Sequence, residues 1–108
     1  LMSDPDVFAK VARGSYDYGM HQFATQNLAV ACMYSRAGRP LESSHFAEVE
    51  KQSAALSGDN PMYVECCQIL ERDYRELSVC MKGPDGEKYR TLAEQQHEDL
   101  KRIVITKI

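Results

Sequence analysis

The placement of proline and glycine constrains this 108-residue chain more than any other feature. Proline has no N–H to donate and a fixed φ, so it sits well in the first turn of a helix and badly inside one. All four prolines stand where a helix can begin. Asp4-Pro5, Asn60-Pro61 and Pro84-Asp85 join proline to a capping-type residue, and Arg39-Pro40 follows Gly38. The Asp4 and Asn60 side chains are expected to accept from the free N–H groups one turn in. Gly38, Gly58 and Gly83 each follow an apolar-periodic stretch, where a left-handed residue is wanted just past a helix end. Three interior turns near 38, 58 and 84 follow. No Asn-Gly or Asp-Gly turn separates alternating apolar runs, because a helical pattern follows Asp85-Gly86. Gly83-Pro84-Asp85-Gly86 reads as a plain inter-helix turn.

The segments between these turns have helical period. From 61 to 82 the apolar stripe is Tyr63, Cys66, Cys67, Leu70, Tyr74, Leu77 and Met81. From 40 to 57 it is thinner: Phe46, Val49, Ser53 and Leu56. From 87 to 105 it runs through Tyr89, Leu92, Ala93, Gln96, Leu100, Ile103 and Val104, and the β-branched end is expected to fray or to pair with something outside the chain. Before residue 38, Val7, Phe8 and Val11 mark a short helix over 4–13. Met20, Phe23, Ala24, Asn27, Ala31 and Tyr34 mark a longer one over 16–36, separate or fused to the first by a kink. The expectation is one all-α domain over 1–108, a small antiparallel bundle of four to five helices. Its start at Leu1 leaves open that it is a piece of a longer chain.

Composition excludes some classes of function. A net charge of -3, with basic residues scattered among acids, argues against a nucleic-acid partner. No apolar run approaches the roughly 20 residues that span a bilayer. Cys32, Cys66, Cys67 and Cys80 show no C-x-x-C spacing and fall within helical patterns. They read as reduced, buried thiols of an intracellular, cytoplasmic chain.

Val30, Ala31, Tyr34, Gly38 and Ser43 occupy the positions of an aliphatic, a small residue, an aromatic, a turn glycine and a second small residue. In this respect the stretch 27–56 resembles a tetratricopeptide-type helical hairpin. The proline intervals of 21 and 23 residues exceed half of a roughly 34-residue repeat. Residues 20–80 also look like an MIT-type three-helix domain, whose helices are longer. Both resemblances imply binding of a peptide or helix in a groove between helices.

Two Glu-x-x-His pairs, Glu42–His45 and Glu94–His97, could each offer a carboxylate and an imidazole to one metal, as in di-iron bundles. The same spacing arises on ordinary solvated helix faces, which is the preferred reading. No cofactor is expected. No coherent set of catalytic residues is present, and the cysteines on apolar stripes read as unreactive core. The pairs Glu71–Arg75 and Arg72–Glu76 are expected to lie on a solvated face.

The resulting expectation is a non-enzymatic protein-interaction module, an adaptor or a subunit of a larger assembly. It would bind another protein or peptide, or a second copy of itself. Tyr16, Tyr18, Met20, His21, Met33 and Leu41 are the interface candidates, since Tyr and Met are enriched at contacts. The thin stripe on 40–57 is expected to leave Met33, Leu41 and Val30 available for such contacts. A metal-binding four-helix bundle and a helical accessory domain of a larger enzyme are the alternatives.

Overall fold

A computed structural model describes residues 4–14 and 24–106. Five helices follow one another: α1 (Pro5–Gly14), α2 (Ala24–Arg36), α3 (Pro40–Ser57), α4 (Asn60–Cys80) and α5 (Pro84–Thr106). No strand occurs among the described residues, so the all-α expectation holds. The expected start of the second helix at 16, and the question of a kink before it, lie outside the described residues.

The turns show how proline and glycine divide the work. At the end of α3, Gly58 takes φ 73°, and the Asp59 N–H donates to the Ala54 carbonyl at 3.0 Å. The Arg39 N–H donates to the Tyr34 carbonyl at 2.9 Å in the same way, past Gly38. Two expectations need correction here. The residue capping α4 is Asp59, not Asn60: its Oδ1 accepts from the Met62 N–H at 3.1 Å. Asn60 is already helical and Pro61 occupies the second position, so the accepting oxygen must come from one residue earlier. Asp4 behaves as expected and accepts from the Asp6 N–H at 2.9 Å.

Gly83 does have positive φ, 70°, but it does not close α4. That helix ends at Cys80, with Met81 extended, and the Gly83 carbonyl accepts from the Glu87 N–H at 3.2 Å to open α5. Pro84, Asp85 and Gly86 are therefore the first turn of α5, which starts three residues before the expected 87. Gly86 is buried against the end of α4, and a Cβ on it would lie 2.4 Å from the Met81 carbonyl oxygen.

Each helix packs chiefly on its neighbours in sequence: α1 on α2, α2 on α3, α3 on α4 and α4 on α5. The assembly is a slab with Cα extents of 37 × 37 × 18 Å. Its core gathers Leu28, Val30, Ala31 and Tyr34 of α2, Phe46 and Ala47 of α3, Cys66, Leu70 and Leu77 of α4, and Ala93 of α5. Tyr34 stacks on Phe46, with ring centroids 6.1 Å apart, and Tyr74 stacks on Tyr89 at 5.8 Å. Of the expected α4 stripe, Cys66, Cys67, Leu70, Tyr74 and Leu77 are buried, Tyr63 and Met81 are half-buried with Met81 past the helix end, and Ile69 and Asp73 join the buried face.

The α3 stripe is only partly as expected: Phe46 and Ser53 are buried and Val49 is half-buried. Leu56 is 92% exposed, and the buried face is Ser43, Ser44, Phe46, Ala47, Glu50, Ser53 and Ala54. Small side chains let α2 and α4 approach α3 on both flanks, so packing rather than hydropathy chose its face. Val30, expected to be available for contact, is 2% exposed and belongs to the core.

Candidate functional site

A trough of about 410 Å³ lies on the α4–α5 face. Arg75 of α4 lines one wall, and Thr91, Glu94, Gln95, His97 and Glu98 of α5 line the other. The Glu71 carboxylate ties the two helices together beside it. Its Oε1 accepts from Arg75 at 2.9 Å, as the i,i+4 spacing predicted, and lies 3.1 Å from the His97 Nδ1. The aliphatic stems of these long side chains form much of such a surface, with their charges at the rim. Glu94 and Glu98 put two carboxylates on the α5 side of the rim, Glu98 with the Lys101 ammonium 3.6 Å away.

Behind the trough, polar groups run through the helix interfaces. The Lys51 Nζ of α3 donates to Gln96 Oε1 at 2.7 Å and to Asp99 Oδ2 at 3.0 Å, both on α5. It also lies 5.4 Å from the centre of the Tyr63 ring. Burial is the largest single influence on the Lys51 charge and works against it, but the hydrogen bond to Asp99 together with the nearby Cys67, Tyr63 and Asp99 groups outweighs it and leaves the ammonium pKa above its ordinary value. On the other side of α3, Asn27 Nδ2 donates to Glu50 Oε1 at 3.0 Å, with both residues buried. Tyr74 donates to Glu48 at 2.9 Å, and burial together with that carboxylate raises the phenol pKa.

One buried pair is unlike these. Asp73 of α4 and Ser43 of α3 are both 0% exposed. Neither Asp73 oxygen nor the Ser43 Oγ completes a hydrogen bond. Burial pushes the Asp73 carboxyl up to about 6, and the nearby Ser43 hydroxyl only partly offsets this.

At the opposite edge of the slab, α1 is held by Asp6. Its carboxylate accepts from Arg39 at 2.7 Å and from the Tyr34 hydroxyl at 2.9 Å. Those hydrogen bonds, Arg39 first, hold the Asp6 carboxyl below its usual range. Arg39 also pairs with Glu42 at 2.6 Å and covers the Tyr34 ring at 4.9 Å.

Only two of the expected interface residues fall among the described residues. Tyr16, Tyr18, Met20 and His21 lie outside the described residues, while Met33 and Leu41 are half-buried near the α2–α3 turn. The Glu-x-x-His residues are dispersed in role. Glu42 engages Arg39, His45 is exposed, His97 meets Glu71, and Glu94 stands on the trough rim. Among the described residues, no group of three or more His, Cys, Asp or Glu side chains is placed to hold a metal ion.

Of the cysteines, Cys66 and Cys67 are buried as expected, Cys32 is half-buried, and Cys80 is exposed, contrary to expectation. Cys80 is the last residue of α4 and faces solvent. Burial raises the Cys66 thiol to about 12 and the Cys67 thiol to about 11.

The trough was only half legible in the sequence. Glu71, Arg75, Glu94 and His97 each stood out by spacing, but nothing local told that they would meet. Among the described residues, no helix is long and apolar enough to cross a membrane. Comparison with protein-family models, with curated proteins and with solved structures gave no match.

Proposed function

We propose that the chain is a protein-interaction module, an adaptor or a subunit of a larger assembly, that takes a partner peptide or helix along the α4–α5 trough. The observation that carries this reading is the packing order. Helices laid side by side in a slab 18 Å thick leave long inter-helix troughs open to partners. A bundle closed around one axis would bury them. The resemblance of residues 20–80 to MIT-type domains and of 27–56 to a tetratricopeptide hairpin points to the same mode of binding. The rim carboxylates of Glu94 and Glu98 favour a partner bearing Lys or Arg.

Selection from a displayed random peptide library on the immobilised chain tests this. Enriched peptides should carry basic residues at helical or extended spacing. They should bind with micromolar or tighter Kd, and lose about tenfold or more in affinity on Glu94→Lys with Glu98→Lys. A selection that enriches no sequence, or binders indifferent to those two substitutions, would overturn it.

A further inference from the structure

We propose that Asp73 and Ser43 form a proton-operated joint in the α3–α4 seam, shut when the carboxyl is protonated and opened toward water at that end when it is ionised. This does not depend on the interaction reading above. The geometry is an interface between two long helices with a carboxyl and a hydroxyl sealed inside it, three polar atoms without a hydrogen bond. A buried carboxylate in that state loses its hydration and recovers only part of the loss from the Ser43 hydroxyl. Protonation removes the charge and supplies an O–H that the Ser43 oxygen can accept after a small closing movement. Ionisation leaves the seam two ways to relieve the charge: admit water or part.

Three features make parting local. Ser43 lies near the start of α3 and Asp73 in the second half of α4, away from the Gly58 turn that joins the two helices. Lys51, further toward that turn, is anchored on Gln96 and Asp99 of α5 and keeps the far end of α3 in place. Gly58, with its positive φ, lies at the closed end of the pair. From α3, the group facing Asp73 is the uncharged Ser43 hydroxyl, and Glu48 lies further along, engaged by Tyr74. From its own helix Arg72 favours the carboxylate and Glu76 opposes it. Among the described residues no charged group of α2 or α5 acts on it. No cation is therefore poised in the seam to hold the ionised form.

The test reads two quantities on the whole chain between pH 4.5 and 7.5. Carboxyl ¹³C shifts give the Asp73 titration, and amide hydrogen exchange, corrected for its intrinsic base catalysis, gives the opening of the helix segments around Ser43 and Asp73. The carboxyl should titrate near the value of about 6 that its burial dictates. Protection of those amides should fall as pH rises from about 4 toward that value and level off above it, by up to about a hundredfold in all for a two-unit displacement. Asp73→Asn, neutral and of the same shape, should hold full protection across the range. Ser43→Ala should move the Asp73 midpoint upward, because it deletes the one hydroxyl that favours the charge. A carboxyl titrating in the ordinary range near 4, or the same pH-dependent loss of protection in Asp73→Asn, would overturn the proposal. The wild-type titration alone decides the first point, even if a variant fails to fold.

Discussion

Burial of the Asp73 carboxyl has a consequence for stability that can be given a sign. Its folded value of about 6 stands above the ordinary 3.8, so the folded chain holds a proton that the unfolded chain has released. Stability from this group is full below about pH 4, declines as pH rises to about 6, and stays low above it. The displacement corresponds to an upper limit of about 3 kcal/mol. Asp73→Asn is therefore expected to stabilise the chain at pH 7 and to leave it nearly unchanged at pH 4, as read by urea denaturation at the two pH values. Asp6 works in the opposite direction, since its lowered pKa favours folding above the carboxylate range and ceases to do so in acid. The difference between variant and wild type cancels that contribution. The thiols give a second residue-scale outcome. At pH 8, a thiol reagent should label Cys80 quickly and Cys32 more slowly. Cys66 and Cys67, buried and raised to about 12 and about 11, should react only on unfolding.

At the scale of elements, α3 is the helix whose face decides most. Phe46→Ala should cost about 3–5 kcal/mol, because the ring is fully buried and stacked on Tyr34. Leu56→Ala should lie within about 0.5 kcal/mol of wild type. A face through both residues would have predicted comparable losses. The α5 start gives another outcome: Gly86→Ala puts a methyl 2.4 Å from the Met81 carbonyl and should destabilise by about 1–3 kcal/mol in thermal or urea unfolding. Helix existence and the interior turns were readable because proline and glycine act through the backbone, independently of what packs around them. The α4 stripe was readable because Cys66, Leu70, Tyr74 and Leu77 are apolar at helical spacing. The α3 face was not, because Ser43, Ser44 and Glu50 carry no apolar signal and are buried by the closeness of flanking helices. Gly83 and Gly86 were misassigned for a related reason: a glycine in sequence does not say whether it ends one helix or lets the next one approach.

On the scale of the whole molecule, α3 and α5 are joined across α4 by Lys51, whose side chain is 13% exposed and whose partner Asp99 is 14% exposed. Lys51→Met should cost about 3 kcal/mol by removing the mostly buried partner of Asp99, which keeps only the exposed Arg102 at 3.5 Å, and adding Asp99→Leu should recover most of the loss. A double-mutant cycle in urea measures both numbers, and simple additivity of the two losses would refute the pairing as a structural staple. The Glu71–His97 tie beside the trough and this staple join residues 26 and 48 positions apart, which is why neither was legible before the helices were laid side by side. The packing of each helix on its sequence neighbours also bears on how the chain reaches its fold. Most contacts close over a single short turn, so little loop entropy stands between the unfolded chain and each successive helix pair. Such a topology has low contact order and is expected to fold on the microsecond-to-millisecond scale.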